Sequence, residues 1–145
     1  MSHALAKIWI HAVFRTKDDN VLIPVDFRSI LNRQIEELLA KEKCKVRIVN
    51  SVKDHVHCLF ILPAETSISK VIKNVKGVTS HWINQAQSLS GKFEWQVGYG
   101  AFSVSESGIK NVEVYIRNQE RHHEKMTFKE EYDRFMAIYH PELIP

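Results

Sequence analysis

Two histidines separated by one residue, His55-Val56-His57, are a pair in this chain that could act on one ligand together. On an extended strand, residues two apart point to the same face, so the imidazoles converge while Val56 points the other way. Such a pair can hold one divalent metal ion. A chain with eight histidines makes an HxH by accident often enough that the motif does not decide the matter alone. Further along, Tyr115 and Gln119 are four apart, which on a helix stacks a phenol and an amide on one face beside an apolar stripe. Hard divalent ions accept an amide oxygen, so His55, His57 and Gln119 make three protein ligands and leave positions open for phosphate oxygens. An ion there polarises phosphorus and offsets transition-state charge, and Tyr115 is then the nucleophile. A tyrosyl phosphodiester conserves the energy of the broken bond, so a second hydroxyl can rejoin the strand without ATP. Neither GxxxxGK[ST] nor GxGxxG occurs, in keeping with a reaction that uses no nucleoside triphosphate. Three other readings stay open on these residues: Tyr115 as a border tyrosine covering the core, a metal-dependent phosphodiesterase whose ion activates water, and a non-enzymatic nucleic-acid-binding module.

The elements that must position these groups are read from periodicity. His3 to Arg15 is β-branched and aromatic without a breaker and suits a strand buried on both faces. Asp26 is placed to cap a helix with Phe27, Leu31, Ile35 and Leu38 on one side, running to about Glu42. Lys45 to Lys53 and Asp54 to Leu62 resemble a hairpin ended by Pro63. A second helix carries Ile68, Val71, Ile72, Val75, Thr79, Trp82 and Ile83 inward and Lys70, Lys73 and Lys76 outward. Phe93 to Ser105, interrupted by Gly98 and Gly100, reads as one or two strands with a bend. After Gly108, Ile109, Val112 and Ile116, extended by His123, make a third helix. A last one, with Thr127 and Glu130 at capping-box spacing, buries Phe128, Tyr132, Phe135, Met136 and Tyr139. The order β-α-β-β-α-β with two further helices predicts an α+β fold of the ferredoxin-like, split βαβ plan.

Length and composition fit one domain over residues 1–145: 44% hydrophobic and 26% charged residues are globular values, with no repeat period. The longest apolar run, Cys58 to Leu62, is far short of a membrane span, and no signal peptide is visible, so a soluble, cytoplasmic protein is expected. Cys44 and Cys58 form neither a CxxC nor a disulfide framework and read as buried thiols. A net charge of +3 permits a polyanionic partner without requiring one.

His55-Val56-His57 resembles the HUH motif, and Tyr115-Ile116-Arg117-Asn118-Gln119 resembles the YxxxQ helix, of single-tyrosine HUH transposases of the insertion sequence 200/605 family. The similarity extends to the buried first strand, to Asp54 before the histidine pair, to Trp95-Gln96 with Gly98-Tyr99-Gly100-Ala101-Phe102-Ser103, and to His122-His123. It implies a dimeric enzyme dependent on Mg²⁺ or Mn²⁺ that recognises hairpins in single-stranded DNA at element ends. It also implies cutting and rejoining through a covalent 5′-phosphotyrosine, and a tyrosine helix that serves the partner subunit's HUH site, with Gly108 as its hinge. A domesticated relative acting on repeated palindromes shares both motifs; a stop soon after the Thr127 helix leans towards the mobile-element form.

For gripping DNA, Lys43, Lys45 and Arg47 lie in the densest basic stretch, Lys70, Lys73 and Lys76 could track a backbone, and Arg117 and Arg121 flank the tyrosine face. Ion pairs with Glu113 or Glu120 are the plainer role for those two arginines. Asp54 could touch a metal or its water shell, although a residue that begins a strand beside a turn is more often there for backbone reasons.

Overall fold

In a computed structural model, residues 4–17, 22–86, 89, 91–121, 127–139 and 142 are described. Period-two alternation organises the chain around four strands: Ile8–Arg15 (β1), Lys45–Ser51 (β2), His55–Leu62 (β3) and Gly100–Val104 (β4). They form one antiparallel sheet in the order β2-β3-β1-β4. Among the described residues, the helices Arg28–Lys41 (α1), Ile68–Ala86 (α2), Ile109–Arg117 (α3) and Phe128–Tyr139 (α4) pack with the sheet. This is the expected α+β, split βαβ order.

The pleat divides the side chains between two cores. Ile10, Ala12 and Phe14 of β1 join Val56, Cys58, Phe60 and Leu62 of β3 under Leu31, Ile35 and Leu39 of α1 and Val71, Ile72, Val75 and Ile83 of α2. On the opposite face Trp9 and Leu59 meet Ile109, Val112 and Ile116 of α3. A long, doubly buried β1 is therefore right in kind, but it begins at Ile8, and residues 4–7 before it are exposed. Cys44 and Cys58 are buried free thiols, and burial pushes the Cys44 pKa up to about 11. Among the described residues no helix is long and apolar enough to cross a membrane.

Two local expectations need correction. Asp26 does not cap α1: it lies inside a 3-10 turn, Val25–Phe27, and the helix begins after Phe27 without a side-chain cap. The stretch 93–105 takes the one-strand form of its expectation, with the bend at Gly98, whose φ is a left-handed +91°, and only an isolated bridge from Trp95 to Thr16. The third helix is interrupted at Asn118, where the backbone turns before 119–121 become helical again, so Tyr115 and Gln119 are not on one unbroken helix. Thr127 caps the last helix, with the Glu130 N–H donating to its Oγ1 at 3.2 Å, while the Glu130 carboxylate takes that hydroxyl rather than a backbone N–H. Phe135 is buried as expected, Tyr132 and Met136 only partly, and the side chains of Phe128 and Tyr139 lie outside the described set.

Candidate metal and tyrosine site

Antiparallel register puts the histidines where the sequence reading placed them. His57 pairs with Val13 across the strands and His55 with Arg15, so both imidazoles leave the sheet on the α3 side. Both are buried, His55 fully and His57 at 5% exposure. Each ring is held through its Nδ1. His55 Nδ1–H donates to Asp54 Oδ1 at 2.8 Å, and His57 Nδ1 shares a 2.9 Å hydrogen bond with Nε2 of the buried His11 on β1. Asp54 thus touches the ring of His55 at the far side from Nε2, which makes it an orienting group.

The helix on this face brings in the remaining groups. Its apolar stripe packs on Trp9 and Leu59, and Asn50 Nδ2 of β2 donates to the Ile116 carbonyl at 2.8 Å, fixing the helix over the strand pair. Tyr115 then stands with its ring 5.8 Å from that of His57, edge on. Gln119 is fully buried despite the turn before it, with Oε1 3.2 Å from His55 Nε2. From α4 comes Glu131, 4% exposed. Tyr115 O–H donates to its Oε1 at 2.7 Å, while its two oxygens lie 3.7 Å from His55 Nε2 and 3.8 Å from His57 Nε2.

Donor atoms of His55, His57 and Glu131 all lie within 4.8 Å of one another, and Glu131 Oε2 has no hydrogen-bond partner. A buried carboxylate oxygen left unsatisfied beside two imidazoles is costly without a cation. Nitrogen and oxygen donors of this kind, with the Gln119 amide oxygen alongside, fit Mn²⁺ or Mg²⁺. The site is thus richer in oxygen than the sequence suggested.

Within the chain, Tyr115 stands at its own histidine pair. Its lead-in is a short 3-10 turn over Glu106–Gly108, and the apolar stripe of α3 packs on its own sheet. Gly108 sits there in a right-handed conformation, φ −93°.

The basic residues divide by partner. Lys43 and Lys45 are exposed and, with Lys7, line an open cleft of about 410 Å³ at the end of β3. Arg47 instead bonds Glu113 of α3, which also takes Arg117 at 2.7 Å, so the plainer role holds for Arg117. Arg121 is exposed. Lys70 and Lys73 are exposed, whereas Lys76 donates to the carbonyls of Gln96 and Gly98 at 2.6 and 2.7 Å, and its burial lowers its pKa. That lysine staples the loop ahead of β4. His122 and His123 lie outside the described residues.

Sequence reasoning missed two site residues. Glu131 follows a capping box and looks like an ordinary acidic first-turn residue. His11 sits two positions from both Trp9 and Val13, and only its alternation with apolar neighbours marks it as facing the site side.

Residues 4–119 match the family model described as "Transposase IS200 like". Among solved structures, a transposase candidate from Deinococcus radiodurans R1 superposes with a TM-score of 0.64 at 19% identity, covering 82% of this chain and 95% of that one. A REP-associated tyrosine transposase bound to a REP hairpin gives 0.60 at 17% identity, covering 85% and 74%. At those identities the likeness is one of fold. No curated protein matches the chain significantly. With four-fifths of its length matched by the family model and an HxH strand facing a tyrosine helix, the chain belongs to the IS200-like transposase family.

Proposed function

We propose that this transposase cuts and rejoins single-stranded DNA through Tyr115, with a divalent ion, Mg²⁺ or Mn²⁺, held by His55, His57, Glu131 and Gln119. The observation that carries the proposal is the 2.7 Å hydrogen bond from Tyr115 O–H to a carboxylate whose oxygens also face both histidines. Nucleophile and ion-binding groups are then within one side chain of each other. When bound, the ion supplies Lewis-acid polarisation of the scissile phosphate.

The rest is done by the chain. Burial and the Glu131 acceptor fix the phenol, which limits the orientations it must lose on attack. The Tyr115 oxygen forms a bond to phosphorus as the P–O3′ bond breaks. The phenol gives up one proton and the departing 3′ oxygen takes up one, leaving a 5′-phosphotyrosine. Attack by another 3′ hydroxyl reverses these changes and frees Tyr115. The hairpin-bound neighbour supports a hairpin in this chain's substrate, and the cleft edged by Lys7, Lys43 and Lys45 is a basic surface suited to its backbone. Assembly as a cytoplasmic homodimer belongs to the same proposal, with each tyrosine working at its own histidines.

The test is covalent trapping. Labelled element-end DNA with Mn²⁺ should give an adduct that survives denaturation, absent in Tyr115→Phe and in chelator. Hydrolysed ends without any adduct would make the protein a phosphodiesterase, and unaltered DNA would make it a binding module.

A further inference from the structure

We propose that His11 is a positioning residue that holds His57 in the tautomer a metal ligand needs. The inference rests on the metal-site proposal above. His11 is completely buried on β1, diagonal to His57 across the β1–β3 ladder, since its direct partner is Leu59. The two rings are within 24° of coplanar, with centroids 5.1 Å apart and 2.9 Å between His11 Nε2 and His57 Nδ1. That is the geometry of an in-plane N–H···N bond between imidazoles.

A neutral imidazole carries one donor and one acceptor nitrogen, so this bond has two possible directions. If His11 Nε2–H donates, the His57 proton must sit on Nε2, the nitrogen facing Glu131, and His57 cannot ligate through it. If His57 Nδ1–H donates to His11 Nε2, the lone pair of His57 Nε2 is turned towards Glu131 and the site. His55 is already fixed in this second sense by the Asp54 carboxylate, which can only accept. Metal-ligating histidines are commonly oriented by an acceptor at the other nitrogen, and losing that acceptor typically weakens affinity 10–100-fold.

The surroundings of His11 suit the same role. Phe135 meets its ring edge on at 5.0 Å, and Tyr115 and Phe102 lie at 6.5 and 6.4 Å. These rings lock its orientation and include the nucleophile and a residue of α4. One buried imidazole therefore sits behind the ligand on β3 and beneath both helices that complete the site.

The experiment measures Mn²⁺ affinity of the full chain without DNA, by the loss of the free-ion resonance signal. His11→Phe keeps an aromatic ring but offers no acceptor, and its affinity should fall roughly 10–100-fold. His11→Gln, whose amide oxygen can take the His57 proton, should stay within about threefold of the parent. Equal affinity in the Phe variant, or equal loss in both variants, overturns the inference. A parent that binds no Mn²⁺ removes the metal site itself and the inference with it. Should His11→Phe fail to fold, nitrogen chemical shifts of His57 in the parent decide: a protonated Nδ1 supports the assignment and a protonated Nε2 refutes it.

Discussion

Replacing Glu131 by glutamine separates what this residue does to the fold from what it does for an ion, because the two effects have opposite signs. Oε1 accepts the Tyr115 hydroxyl at 2.7 Å, while Oε2 is buried, accepts no hydrogen bond and lies 3.7 Å from His55 Nε2. Without an ion, a buried unsatisfied oxygen on a charged group costs about 1–3 kcal/mol. Glutamine keeps an acceptor for Tyr115 and puts an N–H group where Oε2 was, facing a histidine whose Nδ1 proton already goes to Asp54. In chelator, Glu131→Gln should therefore be more stable by about 1–2 kcal/mol, or about 3–6 °C in Tm for a domain of this size. With Mn²⁺ at a hundred times its Kd, the parent gains about 2.7 kcal/mol, or roughly 8 °C. A variant with roughly 30-fold weaker affinity gains only about 0.9 kcal/mol at the same concentration, or roughly 3 °C. Melting curves in EDTA and in Mn²⁺ read both numbers. A lower Tm in chelator together with an undiminished Mn²⁺ increment would show that Glu131 is neither a strained buried carboxylate nor a ligand.

Lys43 follows α1 in a left-handed conformation, φ +68°, which costs a non-glycine residue about 1 kcal/mol. Lys43→Gly should raise the urea midpoint while lowering the salt slope of hairpin binding by about 0.7–0.9; an unchanged slope moves the DNA away from this cleft. Hydrogen bonding from Arg47 and burial act in opposite directions on Glu113, and the Arg47 bond prevails, holding its carboxyl below the ordinary value of 4.5. A depressed carboxyl contributes stability that is present above pH 4.5 and lost as pH falls through the lower folded value, so the Glu113→Gln penalty should vanish towards that acid limit in pH-dependent melts. Finally, on the proposed arrangement in which each tyrosine serves its own chain, His57→Ala co-assembled with Tyr115→Phe should give no covalent adduct; an adduct from the mixed assembly would place the tyrosine in trans.

The strand half of the site was legible because it depends on a local rule. Alternation on β3 fixes the common face of His55 and His57 whatever the rest of the fold does, and the apolar stripe of α3 likewise fixes which side Tyr115 must border. Legibility failed where a contact joins elements distant in sequence. Nothing in the spacing of Glu131 distinguishes it from Glu130, yet Glu130 turns back to the capping Thr127 while Glu131 enters the site, because only their rotation about the helix differs. The bend at Asn118 was invisible for a similar reason: Gln119 belongs to a helical pattern by spacing, and its burial against His55 is decided by tertiary packing. Lys76 looked like a backbone-tracking lysine until two loop carbonyls claimed it.

Putting these contacts together explains why the site would respond to an ion as a unit. His57 is tied to β1 through His11, His55 to its own strand through Asp54, and Tyr115 to α4 through Glu131. The apolar contacts of α4 at this point run through Phe135, whose ring meets His11, Tyr115 and Phe102 at 5.0, 5.4 and 5.7 Å. The same helix therefore supplies the carboxylate and packs on the group behind the second histidine. Drawing Glu131 towards an ion would tighten Phe135 on His11 and Tyr115, whereas releasing α4 would expose the phenol and remove one oxygen donor in the same motion. On the proposed ion site, nucleophile access and ion affinity would thus be linked through one helix, and a substrate strand that displaced α4 would have to supply the oxygen that Glu131 gives up.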